Sequence, residues 1–235
     1  MPKTEAAAKK EDWEAHLARE EARYRDGESR LTEDAPEDDP ADTDSRQRQL
    51  TRLGNAAGGA GLSLLMLGRR DEAADWFVRA AERYRESFRA APPGSWGRPI
   101  GAMKAMILAD DWPKAVDAAS WALEAGAAES DSPIGRYAAA LAYLVLGQDV
   151  EARIVAETLV GRDDFPRDVA DALLMIAGLD RLEYDVAVEN VLDSFEKREE
   201  FLEDIRVADT VLVLQELAAA RGLEVELPLS DLLPT

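Results

Sequence analysis

The sequence predicts an all-α protein: an irregular α-solenoid of antiparallel helix pairs with a short extended C-terminal tail. Three observations predict it. The first is the pattern Gly61-x-x-Leu64-x-x-x-Gly68 followed by Ala73-x-x-x-Phe77-x-x-Ala80. Two packed antiparallel helices need this spacing, with small residues where backbones meet, large apolar ones between, and glycine at the turn. The second is recurrence. Ala140, Tyr143, Gly147, Ala152, Ala156 and Leu159 repeat the pattern, and Met103, Met106, Ala115, Ala119 and Ala122 form a degenerate copy with Asp110 in the turn-glycine slot. The third is composition: 46% hydrophobic residues with only 6% aromatics, and almost no runs of β-branched residues.

This grammar resembles the tetratricopeptide repeat, which implies stacked helix pairs that offer a groove to a protein or peptide. The framework alanines Ala73, Ala115 and Ala152 lie 42 and 37 residues apart, against about 34 in a regular array, so the expected stack is divergent and uneven. A chain of 235 residues is long enough to bury a full core in one continuous body.

The elements follow in order. Thr4 to Asp26 forms a charged helix with Trp13, Leu17 and Tyr24 on one stripe, so residues 1–31 are either a mobile arm or an element that docks on the body. Residues 32–44 carry seven carboxylates, two prolines and no basic group, an expected disordered linker. The helical-repeat domain covers 45–235. Its first helix runs from Ser45 to about Leu67, and the next opens at Asp71 and ends before Pro92-Pro93-Gly94. Others start near Arg98, near Asp111 with Pro113 in the first turn, and after the Ser132-Pro133 cap. Further helices are expected over Val150 to Val160, Pro166 to Ala177, Tyr184 to Glu200 and Thr210 to Arg221, the last capped by Asp209 and stopped by Gly222. Leu223, Val225 and Leu227 then alternate with glutamates, the period of an extended tail that caps the last helix pair.

Charge narrows the function classes. Forty-eight acidic against 28 basic residues give a net charge of -20, and the basic residues are mostly arginine. Such a surface resembles those of halophilic cytosolic proteins, where salt screens self-repulsion. No Lys/Arg-rich stretch free of carboxylates exists to neutralise phosphates, so nucleic acid is not an expected partner. With no cysteine, disulfides, thiolate metal sites and cysteine nucleophiles are excluded. The start lacks an apolar signal region, and the longest apolar stretch, Ala56 to Leu67, is shorter than the roughly 18 residues of a span. No membrane association is expected, and the expected location is cytoplasmic.

A second resemblance is carried by GSWGRPIGAMKAMILADDW and by the ending LQELAAARGLEVELPLSDLLP, in which Trp96, Ala105, Asp110, Leu217, Ala218, Gly222, Leu223, Val225 and Pro234 are the matching positions. These stretches resemble the bacterial Immunity protein 49 family. The resemblance implies a protein that neutralises a toxin by direct binding.

Candidate sites are few. His16, four residues before Glu20, is the single histidine, a poor basis for a metal site and expected to be an ordinary exposed side chain. The run from Gly54 to Gly61 lacks the Gly-Lys-Ser/Thr of a phosphate loop, and helix packing explains it better. The run Ser194 to Asp204 spaces Phe195 and Leu202 by seven and reads as a helix face with solvated charges. Arg83, Tyr84, Phe88, Arg89, Trp96 and Arg98 concentrate guanidinium and aromatic groups around a proline-rich turn and are the partner-binding candidates. The alternative is that the aromatics are inter-repeat core and the arginines pair with carboxylates. Trp96, outside the framework slots, is the aromatic expected to be spared core duty.

These features favour a non-enzymatic helical-repeat protein-binding module, an adaptor or scaffold holding a protein or peptide on its inner face, with no catalytic, cofactor or metal residues. An immunity-type protein is the alternative. A carboxylate-based enzyme is a third, with no positive motif behind it.

Overall fold

The computed structural model describes residues 2–33 and 40–234. Among the described residues the chain is all-helical and forms no strand: α1 (Pro2–Glu33), α2 (Pro40–Met66), α3 (Arg70–Phe88), α4 (Gly97–Leu108), α5 (Trp112–Glu124), α6 (Pro133–Val145), α7 (Asp149–Val160), α8 (Arg167–Ala177), α9 (Arg181–Glu196) and α10 (Asp209–Ala219). From α1 to α9 each helix packs on the next. Of the expected linker, 34–39 lie outside the described residues, Thr32 and Glu33 end α1, and 40–44 begin α2.

One turn design repeats. At Gly68, Asp110, Gly147 and Leu179 the backbone is left-handed, with φ of 73°, 55°, 69° and 55°. At the first of these, Arg69 N donates to Leu64 O and Gly68 N to Leu65 O, both at 2.9 Å. The same pair of bonds recurs after Ile107, Leu144 and Ile176, and it satisfies the carbonyls that a helix end leaves orphaned. Asp110 therefore does stand in for the turn glycine. Leu179 does so too, unmarked in the sequence because leucine rarely takes this conformation.

Two other start signals act as expected: the Asp111 carboxylate accepts from Lys114 N at 3.1 Å and the Ser132 hydroxyl from Gly135 N at 3.0 Å. Two expectations are corrected. Helix α9 ends at Glu196, so Ser194 to Asp204 is not a continuous helix face. Asp209 is the first residue of α10, not its cap, because its carboxylate turns instead to a lysine of α4.

The even-numbered helices α2, α4, α6 and α8 approach one another as an inner layer, while α3, α5, α7 and α9 form the outer one. Burial follows. In α7 only Ala152, Val155, Ala156 and Leu159 are buried, one helical stripe. In α6 nine of thirteen residues are buried, on every side. The second cover is the chain's own C-terminus: α10 packs on α4, α8 and α9 and buries Val211, Val213, Leu214, Leu217 and Ala218. The inner face, expected to hold a partner, is therefore covered at α4 and α8 by α10.

The first helix docks. Leu17 and Tyr24 are buried against the body, the Tyr24 ring meeting Trp76 edge-on at 5.3 Å. The C-terminal tail also packs as expected: Leu223, Val225 and Leu232 are buried, Gln215 Nε2 donates to Val225 O at 2.9 Å, and Ala208 N donates to Leu232 O at 3.0 Å. No helix of the described residues is long and apolar enough to cross a membrane.

Candidate functional site

Between α9 and α10 the chain does not take the shortest route. Residues 197–208 cross the inner layer to reach the opposite end of the solenoid, where Glu203 O accepts from Arg19 Nη2 at 2.9 Å and the Glu203 carboxylate pairs with Arg23 and accepts from Asn55 Nδ2 at 3.0 Å. Glu203 and Asp204 take left-handed φ of 56° and 59°, a strained conformation for such residues that these bonds offset. Burial pushes the Glu203 carboxyl up, but the Asn55 bond and the Arg23 pair outweigh it and hold it below the usual carboxylate range.

This strap closes a cavity of about 540 Å³ against α2, α3 and α4. Gly58 and Gly59 of α2 line its floor, and each glycine of the run has its own task. A Cβ at Gly54 would lie 2.7 Å from the Tyr84 ring, one at Gly61 2.6 Å from Phe77, and one at Gly59 2.3 Å from Ile205 of the strap. The glycine run is thus a helix-packing surface. At Gly58 a Cβ would meet only the Tyr84 hydroxyl, at 3.9 Å, because that position faces the cavity.

The six sequence candidates go to four places, Trp96 to two of them. Arg83 fastens α1: it donates to Tyr24 Oη at 3.2 Å and pairs with Glu28 at 2.8 Å and Glu86 at 2.9 Å. Phe88 and Trp96 pack between helices, Phe88 edge-on to Trp121 at 5.2 Å and Trp96 6.4 Å from Phe88. The expectation that Trp96 escapes the core is corrected, for it is only 8% exposed. Ser95 Oγ donates to Pro92 O at 2.7 Å and folds the turn so that the indole reaches Gly135 at the start of α6, where a Cβ would lie 2.9 Å from Trp96 Nε1. Arg89 is exposed.

Tyr84, Trp96 and Arg98 line the cavity. Tyr84 is wedged between Gly54 and Gly101, and its hydroxyl donates to Asn55 Oδ1 at 2.9 Å; burial pushes its pKa up. Arg98 donates to Ser87 Oγ at 2.8 Å, to Thr51 Oγ1 at 3.2 Å and to Gln47 Oε1. All three are neutral, and the loss of water lowers the Arg98 pKa.

Sequence reasoning missed Lys104, Asn55, Glu203 and Asp209 of the same cavity. Asn55 sits in the glycine run already noted; the others lie in segments brought together only by the strap. It also missed a second feature, on the outer layer. Val150 and Ile154 of α7 are 70% and 59% exposed, and Leu182 and Val186 of α9 are 76% and 58% exposed. Val150 and Leu182 each follow a left-handed turn by three residues, and Ile154 and Val186 lie one helical turn further on. Their register therefore places all four on the same side of two successive outer helices. Around them Glu151, Glu183 and Glu189 are exposed, as are Arg181 and the Arg153–Glu157 pair at 3.1 Å.

His16, expected to be exposed, is partly buried with its ring 5.4 Å from Trp13. Among the described residues no group of three or more His, Cys, Asp or Glu side chains is placed to hold a metal ion. Compared with protein-family models, curated proteins and solved structures, the chain matches none.

Proposed function

We propose that this protein is a non-enzymatic helical-repeat module that binds a protein partner on its outer layer. The carrying observation is the exposed ladder of Val150, Ile154, Leu182 and Val186. Side chains of this kind at matched positions of neighbouring helices, while α10 covers α4 and α8 on the inner side, give the outer layer an exposed apolar stripe to offer a partner. The acidic rim sets the partner's chemistry. A second copy would bring Glu151, Glu183 and Glu189 against their own equivalents, whereas an apolar stripe flanked by lysine or arginine would be complementary. An immunity-type protein that covers the basic substrate surface of a nuclease toxin is the form of this reading that the rim favours most. An acid–base enzyme draws less support, since a catalyst works best poised near the ambient pH and Glu203 is held ionised by its partners.

The test is capture from native high-salt extract by the parent chain and by an Ile154→Glu/Val186→Glu variant. Both positions are exposed, so folding should change little. The reading expects a set of basic proteins recovered by the parent and lost by the variant. Identical recoveries from the two would overturn it.

A further inference from the structure

A different region of the molecule holds a cavity that the outer-layer reading does not use. The cavity between α2, α3, α4 and the strap, at about 540 Å³, falls in the size range of small-molecule sites, which combine apolar walls with a few fixed polar groups. Its walls are of this kind: Leu62, Tyr84, Trp96, Ile100, Phe201 and Ile205 contribute apolar surface.

Its charges do not all cancel. Lys104 pairs with Asp209 at 2.5 Å, and Glu203 pairs with Arg23. Arg98 is different. Among the described residues no carboxylate lies within ion-pair distance of it, and its Nη1 has no acceptor. Partly buried arginines elsewhere are neutralised: Arg83 by Glu28 and Glu86, Arg221 by Asp149, Arg23 by Glu20 and Glu203. In a chain with 48 acidic residues, an arginine held in a cavity wall by Gln47, Thr51 and Ser87 alone is a cation kept free for something else.

The start of α4 adds to it. Gly97 is exposed at the same end of the cavity, a Cβ there would meet nothing within 4 Å, and its amide has no acceptor among the described residues. Helix N-termini favour anions.

We propose that this cavity binds an organic monocarboxylate with an apolar body, the carboxylate seated on Arg98 and the first amide of α4, the body lying along Tyr84, Ile100 and Ile205. A single charge is specified because Arg98 is the one uncompensated guanidinium held within the wall, the other, Arg198, being exposed at the mouth. A carboxylate is specified because its two oxygens match the guanidinium fork. Glu200 and Arg198 stand exposed where the strap meets solvent.

The test uses the full chain and two fluorescent probes of nearly equal shape, 1-pyrenebutyrate and the neutral 1-pyrenebutanol, followed by anisotropy. The native protein should bind the carboxylate saturably at one site and about ten-fold more tightly than the alcohol, the worth of one charge-assisted pair. Arg98→Gln should abolish that preference and leave alcohol binding in place. Gly58→Leu, which fills the cavity from α2 without changing charge, should remove both. Asp163→Asn, on an exposed turn outside the cavity lining, should change neither. Should Arg98→Gln fail to fold, the probe preference of the native protein and the Gly58→Leu result decide alone. Equal affinity for the two probes, no saturable carboxylate binding, or undiminished binding by Gly58→Leu would each overturn the proposal.

Discussion

Lys104 Nζ of α4 lies 2.5 Å from Asp209 Oδ2 at the first residue of α10, and this pair, with the Lys104 bond to Thr210 Oγ1 at 3.1 Å, joins the inner layer to the helix that covers α4 and α8. Burial acts to lower the Lys104 pKa, yet the Asp209 charge outweighs it and the net shift is upward. Lys104→Met would strand a partly buried carboxylate and should cost about 2–3 kcal/mol, toward the low end for broken buried pairs because Asp209 keeps some solvent. Since the folded pKa is raised, the stabilisation is complete below the unfolded value of about 10.4 and is lost as pH rises through the folded one. Urea titrations of parent and variant should converge above that range. Equal stability of the two at pH 7 would contradict the assignment.

Glu203 should release the strap in acid. Its pKa is depressed in the folded state, so its contribution is present above the unfolded value of about 4.3 and disappears as pH falls through the lower folded one. Amide exchange across 197–208 should accelerate in that window before the amides of α6 and α8 do, and Glu203→Gln should show the faster exchange already at pH 7. Uniform exchange across strap and core as the pH falls would count against a separately held strap.

Two glycines of one helix should respond in opposite senses to alanine. Gly58→Ala meets nothing closer than 3.9 Å and should stabilise by about 0.5–1 kcal/mol through helix propensity. Gly61→Ala drives a methyl to 2.6 Å from the buried Phe77 ring and should destabilise by about 1–3 kcal/mol despite the same propensity gain. Melting temperatures of the pair are sufficient. A shift of the same sign in both would mean that the glycine run is not there for packing.

Stability should rise with salt. A net charge of -20 opposes compaction, and the Debye length falls from about 10 Å at 0.1 M to about 3 Å at 1 M. The exposed ion pairs weaken over the same range, but each is worth only about 0.2–1 kcal/mol. A melting temperature flat or falling in potassium chloride between those concentrations would show that the acidic surface carries no such penalty.

The sequence by itself determined the helix pairs. Gly68, Asp110 and Gly147 at the turns and Ala73, Ala115 and Ala152 just beyond them are local signals, because the two helices of a hairpin meet within a few residues of their turn. Of the cavity, Tyr84, Trp96 and Arg98 could be picked out as a cluster, and Asn55 lay inside the glycine run, but their roles could not be told apart. Arg83 and Arg98 look alike in sequence, yet one fastens α1 through Glu28 and the other stands among neutral groups. Only the tertiary structure decided that α10 is tied to α4 through Lys104 and Asp209, that 197–208 crosses the inner layer, and that Glu203 meets Asn55 and Arg23. Those contacts join residues more than a hundred positions apart. No periodicity records them, because they depend on which distant helices come together and not on the spacing within any one helix.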